Sequence, residues 1–262
     1  MSAVVLDEGI VHYEAIGRGR PLVFVHGWLG SWRYWIPAME DLSANHRVYA
    51  FDLWGFGDSD KTGKTYSIDV YVDLLRKFLE KMGVTYPPTL VGHALGGVVA
   101  LRFAAQTPDE VDQVLGVSVP LAGEAINRQL AGVSGSRDAL MRLVARRARF
   151  PEVETEVLKT DVSAVTNSVR SAMEDDLHRM LPRLEMPVLL VYGGSDPLIK
   201  LPQEEWLRDC DEHVRAISLD GAYHFPMLEE RTKFNRLLKS FLEVGDDLDS
   251  LELKEEWQRR MR

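Results

Sequence analysis

Cysteine is almost absent from the sequence, with Cys210 as its single instance. A disulfide within the chain and a metal site built from several cysteines are therefore excluded, and a reducing compartment such as the cytoplasm is the expected location. Long apolar runs are also absent, since none approaches the roughly 18 residues that span a bilayer. Residues 1–7 lack the basic start and the long apolar stretch of a signal peptide. We therefore expect no membrane partner.

Basic residues are fewer than acidic ones, 31 against 40, which gives a formal net charge of −9. This balance argues against nucleic acid and anionic membranes as partners. The hydrophobic fraction of 45% and the charged fraction of 27% are typical of a globular protein with a sizeable core. A length of 262 residues favours one domain that carries an insertion. The sequence contains no internal repeat and no low-complexity segment.

A serine is missing from the stretch around which the chain is organised, Thr89 to Ala100. An apolar run to Val91 predicts a buried strand, and the residues from Leu95 to Gln106 predict a helix closed by Thr107-Pro108. Gly92 and Gly96 leave almost no room for the turn between them, so the residue at its tip must adopt a strained backbone conformation. That residue is Ala94, which has no nucleophilic atom.

Strands and helices alternate along most of the sequence, which predicts a mostly parallel sheet joined by right-handed crossovers. Within 10–15 the loose alternation of apolar and polar residues suits an edge strand. The alternation stops at 120–184, where we predict helices over 137–149, 152–159 and 162–181. We therefore predict a core made of 1–119 and 185–262, with 120–184 inserted as a helical lid.

Two residues downstream of this turn suit acid–base chemistry. Asp196 comes just after a predicted strand, and His224 lies in a loop after the last clear strand. A turn residue before proline and a packed loop histidine are the plain alternatives, but their order along the chain favours a catalytic acid and base. Upstream, the strand ending at Val25 runs straight into His26-Gly27-Trp28, a loop that can present a backbone N–H group to a developing oxyanion.

Taken together, these motifs resemble the α/β-hydrolase family, and in particular its esterase-like members with a small helical lid. The resemblance covers about 11–242 and implies an α/β fold with a mostly parallel sheet flanked by helices. It places Ala94 at the nucleophile position, Asp196 as acid and His224 as base. The N–H groups of Trp28 and Leu95 would form the oxyanion hole, with Trp28, Leu95 and Phe225 lining the substrate pocket. The family uses no cofactor and no metal.

The family pattern has serine where this sequence has Ala94, and two explanations remain open. In the first, a native serine has been replaced to give an inactive protein that retains its substrate. In the second, Ala94 is natural, as in the aminoacrylate hydrolases of pyrimidine breakdown, which carry a similar Gly-His-Ala-Leu-Gly. Relatives with an aspartate nucleophile, such as epoxide hydrolases, offer no match.

Three functions follow as hypotheses: a hydrolase of carboxylic esters or related small acyl compounds that lacks its nucleophile, a serine-independent hydrolase in which His224 activates water, and a non-catalytic binder on the same fold. Ester, thioester, lactone, amide and carbon–carbon bond cleavage all stay open, because specificity depends on lid and pocket side chains.

The charged tail 246–262 carries interspersed apolar residues. It suits a helix docked on the core or on a second copy, so a homo-oligomer formed through the lid or the tail is a further hypothesis.

Overall fold

A single sheet forms the centre of the molecule. The computed structural model describes residues 2–6, 9–61, 65–133, 136–147, 150–210, 213–245, 247–251 and 259–260. In those ranges the sheet has nine strands: β1 Ser2–Leu6, β2 Gly9–Ile16, β3 Arg20–Val25, β4 His46–Phe51, β5 Thr89–His93, β6 Gln113–Val117, β7 Val188–Gly193, β8 Val214–Leu219 and β9 Arg259–Arg260.

The strand order across the sheet is β1-β2-β4-β3-β5-β6-β7-β8-β9. Strands β3 to β8 run parallel to one another, whereas β1, β2 and β9 pair antiparallel with their neighbours. The residues of β5, β6 and β7 are all buried, as expected for parallel strands covered by helices on both faces. This arrangement confirms the mostly parallel α/β sheet expected from the sequence.

Ten α-helices occur among the described residues: α1 Ile36–Leu42, α2 Ile68–Lys81, α3 Leu95–Gln106, α4 Arg128–Ala131, α5 Arg137–Arg147, α6 Pro151–Lys159, α7 Val162–Met173, α8 Glu204–Leu207, α9 Pro226–Glu229 and α10 Arg231–Val244. A 3₁₀ turn over Trp32–Trp35 leads into α1. The side chain of Ser67 caps α2 by accepting from the amide of Val70. None of the helices in the described ranges is long and apolar enough to cross a bilayer.

Three expectations from the sequence are wrong in detail. Strand β2 is not at the edge, because β1 pairs with its outer side over Ser2–Leu6. The helix predicted over 162–181 ends at Met173 and is followed by 3₁₀ turns. The amide of His178 bonds to the carbonyl of Leu121, and this contact redirects the chain after the helix. In the tail, the described residues form a 3₁₀ turn at Leu248–Ser250 and strand β9, while the rest of the predicted helix lies outside the described residues.

The segment 120–184 holds the helices α4 to α7, as the loss of alternation predicts. It packs on loops at the carboxyl edge of the parallel strands. The amide of Asp161 bonds to the carbonyl of Gly55, and the phenol of Tyr66 donates to the Asp161 carboxylate at 3.0 Å. The inserted helices therefore lie on the edge of the sheet where the strand-to-helix turn of β5 and α3 also lies.

Candidate active site

Ala94 occupies the tip of the turn between β5 and α3. Its backbone has φ +46° and ψ −107°, and it is fully buried. Positive φ is uncommon for a residue with a side chain and is retained only where the surroundings impose it. Here the amide of Ala94 bonds to the carbonyl of Val117 at 2.8 Å. A side chain at Gly96 would collide with the backbone of Val25. The strained turn predicted from the sequence is therefore present with alanine at its tip.

Asp196 and His224 form a buried pair. The His224 Nδ1 and Asp196 Oδ2 atoms are 2.9 Å apart, and both side chains are 1% exposed. The other oxygen, Asp196 Oδ1, accepts from the amides of Leu198 at 2.8 Å and Ile199 at 3.1 Å. Because a carboxylate only accepts, Nδ1 of His224 carries the proton, which leaves Nε2 as the basic nitrogen. This is the hydrogen bond that the sequence order of the two residues predicts.

The environment of Asp196 favours its ionised form. Burial alone would raise the pKa of this carboxyl, but the attraction of His224 and the three hydrogen bonds to the carboxylate outweigh burial and hold the pKa below its ordinary value. A carboxylate therefore faces His224 at neutral pH, where it can orient the imidazole and stabilise its protonated form.

Two backbone amides near Ala94 donate to no acceptor in the described part of the chain. Among the hydrogen bonds of the described residues, none uses the N–H of Trp28 or that of Leu95. Leu95 is the first residue of α3, where amides lack intrahelical partners and the helix dipole is positive. Trp28 follows Gly27, whose Cα is close enough to the turn that an added Cβ would lie 3.1 Å from the Cβ of Ala94. Both donors therefore belong to the backbone that surrounds position 94.

A buried chain of hydrogen bonds joins the same loops. The amide of Gly27 donates to Tyr34 Oη at 2.5 Å, Tyr34 Oη lies 3.0 Å from His93 Nδ1, and His93 Nε2 lies 2.8 Å from the carbonyl oxygen of His224. Burial, followed by the neighbouring His224, holds the pKa of His93 well below its ordinary value. Burial also raises the pKa of Tyr34. Both side chains are therefore neutral at physiological pH.

With this geometry established, comparison with known proteins assigns the family. A sequence profile of the alpha/beta hydrolase family matches residues 22–237. The chain belongs to the alpha/beta hydrolase family. A curated relative, the pimeloyl-[acyl-carrier protein] methyl ester esterase of Aliivibrio salmonicida, is 25% identical over 260 residues and covers 90% of this chain and 97% of the relative.

Solved structures agree on the fold. An enol-lactonase from Burkholderia xenovorans superimposes with a TM-score of 0.81 at 19% identity, covering 92% of this chain and 99% of its own length. A thermophilic esterase from Thermogutta terrifontis superimposes with a TM-score of 0.78 at 22% identity, covering 91% of this chain and 94% of the esterase. The architecture is thus that of an alpha/beta hydrolase over nearly its whole length.

The inserted helices of this alpha/beta hydrolase contact the loop that carries Trp28. The indole Nε1 of Trp28 donates to Ser168 Oγ on α7 at 2.9 Å, so the side chain of Trp28 is held by a helix of the insertion. Phe150, just before α6, packs edge-on against Phe225 with ring centroids 6.1 Å apart. The insertion therefore lies over the loops that carry Trp28 and His224, which is where a lid would lie.

Phe225 is fully buried and packs on the two histidines of the site. Its ring centroid is 5.2 Å from that of His93 and 5.0 Å from that of His224. These contacts fix the histidine rings, while the predicted role of Phe225 in binding substrate stays a prediction.

Sequence reasoning missed Tyr34 and His93. The available signal was the glycine pair Gly27 and Gly30, which indicates that something bulky approaches that loop.

One group in the described ranges has the donor types of a metal site: His12, Asp52 and Asp58. Its carboxylates already have partners. Asp58 binds Arg33 and Lys159, each at 2.9 Å. Asp52 accepts from the amides of Trp32 and Asp58, also at 2.9 Å. The group therefore organises the loop after β4, and its donors do not favour a cation.

Proposed function

We propose that this alpha/beta hydrolase is built to hydrolyse carboxylic esters of small molecules through a nucleophile at position 94, and that Ala94 leaves it without that nucleophile. Asp196 is the acid and His224 the base. The amides of Trp28 and Leu95 are the oxyanion donors. The ester chemistry named for the curated relative supports this substrate class.

The mechanism follows from the positions of these groups. A hydroxyl at position 94 would attack the ester carbonyl carbon while its proton passes to Nε2 of His224, the nitrogen left free by Asp196. The negative charge that forms on the carbonyl oxygen would be stabilised by the two unpartnered amides. His224 then protonates the departing alcohol, and water, deprotonated by His224, releases the acid and restores the site.

With Ala94 the chain keeps every part of this arrangement except the attacking oxygen. Ester binding and oxyanion stabilisation remain, whereas the acyl–enzyme bond cannot form. The observation that carries the proposal is the fully buried His224–Asp196 pair beside a turn that retains positive φ at Ala94. A protein that only binds a ligand has no need for a buried, ionised acid that orients a base.

A second candidate is a serine-independent hydrolase in which His224 activates water directly. The Nε2 of His224, which the bond from Nδ1 to Asp196 leaves available as a base, favours this alternative. In that case hydrolysis needs no atom from residue 94. The two candidates differ in whether the chain with Ala94 turns over an ester at all.

The deciding experiment is the Ala94→Ser substitution, assayed with short-chain activated esters. In a serine hydrolase, loss of the nucleophile costs up to about 10⁶-fold in turnover, so we expect a gain of at least about 10³-fold over the Ala94 chain. The matched control is the double variant Ala94→Ser/His224→Gln, in which the gain should disappear. A histidine-dependent activity already present with Ala94 would support the water mechanism. No activity in either form would support a binder.

The expected cytoplasmic location and a homo-oligomer formed through the lid or the tail stay predictions. The first depends on the single cysteine, Cys210, which suits a reducing compartment. The second is tested by measuring the mass of the purified chain in solution.

A further inference from the structure

Three loops of the site are connected by one buried chain of hydrogen bonds. The chain runs from the amide of Gly27 through the phenol of Tyr34 and the imidazole of His93 to the carbonyl of His224. Gly27 immediately precedes the oxyanion donor Trp28, His93 immediately precedes Ala94, and His224 is the base. Each of the three loops thus contributes one link within one residue of a group proposed to act in the reaction.

The direction of every bond in this chain is determined by its two ends. The amide of Gly27 can only donate, and the carbonyl of His224 can only accept. His93 must therefore carry its proton on Nε2 and accept on Nδ1, so Tyr34 Oη accepts from Gly27 and donates to His93. Only one tautomer of His93 satisfies all three bonds.

Burial and neighbouring charges keep His93 in that neutral form. Desolvation is the largest cause of its lowered pKa, and the adjacent imidazoles of His224 and His26 act in the same direction. The carbonyl of His224 and the carboxylate of Asp196 act in the opposite direction but do not outweigh burial. A protonated His93 would also lose its acceptor nitrogen and break the bond from Tyr34. The connection is therefore stable over the pH range in which a histidine base operates.

Two glycines leave the space that this chain occupies. A Cβ on Gly27 would lie 2.7 Å from Nδ1 of His93, and a Cβ on Gly30 would overlap the ring of Tyr34. The rings then pack edge to face, with the centroids of Tyr34 and His93 5.6 Å apart at an interplanar angle of 82°. The close approach of Tyr34 and His93 therefore explains why both positions of the loop after β3 are occupied by glycine.

We infer that Tyr34 and His93 are positioning residues that hold the backbone of His224 and the amide of Trp28 in register with position 94. Neither side chain is placed in contact with the substrate; they act through Gly27 and His224. The inference rests on the proposed hydrolase function. If this chain of hydrogen bonds is broken, we expect the base and the oxyanion donor to move together. Misplacement of reacting groups by about 1 Å can cost about 10²-fold in rate.

The first test uses the chain with Ala94 and needs no activity. Long-range proton–nitrogen NMR correlations of the histidine rings report the tautomer and titration of each imidazole. We expect His93 to remain the neutral Nε2–H tautomer as the pH is lowered from 8 through 6.5, the ordinary pKa of histidine. Titration of His93 near its ordinary pKa, or a proton on Nδ1, would overturn the inference. Assignment follows from the signals lost in His93→Gln.

The second test compares two tyrosines in the Ala94→Ser background. Tyr34→Phe removes the hydroxyl in the middle of the hydrogen-bond chain. The control Tyr71→Phe removes one equally buried phenol that donates to the carbonyl of Trp54 at 3.0 Å. We expect Tyr34→Phe to lower kcat by about 10–100-fold with KM changed by less than about twofold, since a misplaced base and donor act on the transition state. Equal kcat losses in both variants, or a change in KM alone, would contradict positioning.

A rescue pair covers the case in which Tyr34→Phe does not fold. Glutamine at position 93 offers one donor and one acceptor, whereas leucine offers neither, so His93→Gln should retain at least about fivefold more kcat than His93→Leu, given the steep dependence of rate on geometry. Equal activities would overturn the inference.

If Ala94→Ser itself is inactive, the proposed function fails, and the positioning role is then tested by the NMR signals of His224. In the Ala94 chain those signals should shift with Tyr34→Phe or His93→Leu but not with Tyr71→Phe.

Discussion

The indole of Trp28 donates a hydrogen bond to Ser168 Oγ across 2.9 Å, and this bond joins a proposed oxyanion loop to helix α7 of the inserted segment. The hydroxyl of Ser168 is itself fixed, because it donates to the carbonyl of Ala164 one turn earlier. Trp28 and Ser168 are both fully buried. The insertion therefore takes part in setting the position of a residue whose amide is a proposed oxyanion donor.

Loss of the Ser168 hydroxyl should reduce turnover. In the Ala94→Ser background we expect Ser168→Ala to lower kcat by about 3–30-fold, because the loop of Trp28 loses its support and a single oxyanion donor is worth about 10²–10³-fold. The matched control is Ser163→Ala, also on α7, whose hydroxyl donates to the Asp161 carboxylate at 2.8 Å. Steady-state kinetics that show equal effects of the two substitutions would contradict coupling between lid and loop.

Loss of the Asp196 carboxylate, the proposed acid, should strongly reduce turnover. In the Ala94→Ser background we expect Asp196→Asn to lower kcat by about 10³–10⁴-fold, since the histidine tautomer is no longer imposed; the same substitution in a known serine protease costs about 10⁴-fold. Asp220→Asn, in the same region but outside the pair, is the control and should stay within about twofold, as surface changes usually do. Activity of Asp196→Asn close to that of its parent would remove Asp196 from the proposed triad.

Stability should fall as the solution becomes mildly acidic. Burial is the main cause of the lowered pKa values of both His26 and His93. The unfolded chain therefore takes up protons below about pH 6.5 that the folded chain excludes, and the free energy of unfolding decreases as pH falls from 6.5. Each excluded proton contributes a slope of up to about 1.4 kcal/mol per pH unit.

Urea unfolding at pH 7.5 and pH 5.5 measures this slope. His93→Gln should reduce it, whereas Tyr71→Phe, which removes a buried phenol that does not titrate in this range, should leave it unchanged. A slope that is the same with and without His93 would show that this histidine is protonated in the folded state.

A ring of four charges connects the insertion to the core. Glu156 on α6 is 1% exposed and lies 3.0 Å from Lys159 and 3.6 Å from Arg33, while Asp58 binds both of these cations. Removal of the buried charge leaves Asp58 as the carboxylate that pairs with both cations. We expect Glu156→Gln to lower the free energy of unfolding by about 1–3 kcal/mol, below the usual cost of breaking a buried pair because both cations are partly exposed.

Thermal unfolding compared with Asp73→Asn tests this value. Asp73 forms an exposed pair with Lys77 on α2, so its loss should cost less than about 1 kcal/mol. A loss for Glu156→Gln no larger than that for Asp73→Asn would show that the ring does not hold the insertion.

Local sequence signals were sufficient for much of the fold and part of the site. The bounds of α3 match the prediction, because its apolar periodicity and its end signals are encoded within the helix itself. The pairing of Asp196 with His224 could be predicted because each residue follows a strand and their order matches the family. The strained turn at Ala94 follows from the two glycines that flank it.

Tertiary contacts explain what was missed. Tyr34 and His93 are 59 positions apart, and they meet only because β3 and β5 are neighbours in the sheet. The helix after Val162 stops early because His178 bonds to Leu121, a contact that no local pattern encodes. Likewise, β2 became an inner strand because residues 2–6 pair with it.

The most direct test of the central claim is covalent labelling at position 94. A fluorophosphonate reacts with a serine only when a base and an oxyanion hole activate it. Intact-mass spectrometry of Ala94→Ser should show one adduct per chain, while the Ala94 chain and Ala94→Ser/His224→Gln should show none. An Ala94→Ser protein that folds normally and remains unlabelled would contradict the account that this site is built for acyl transfer.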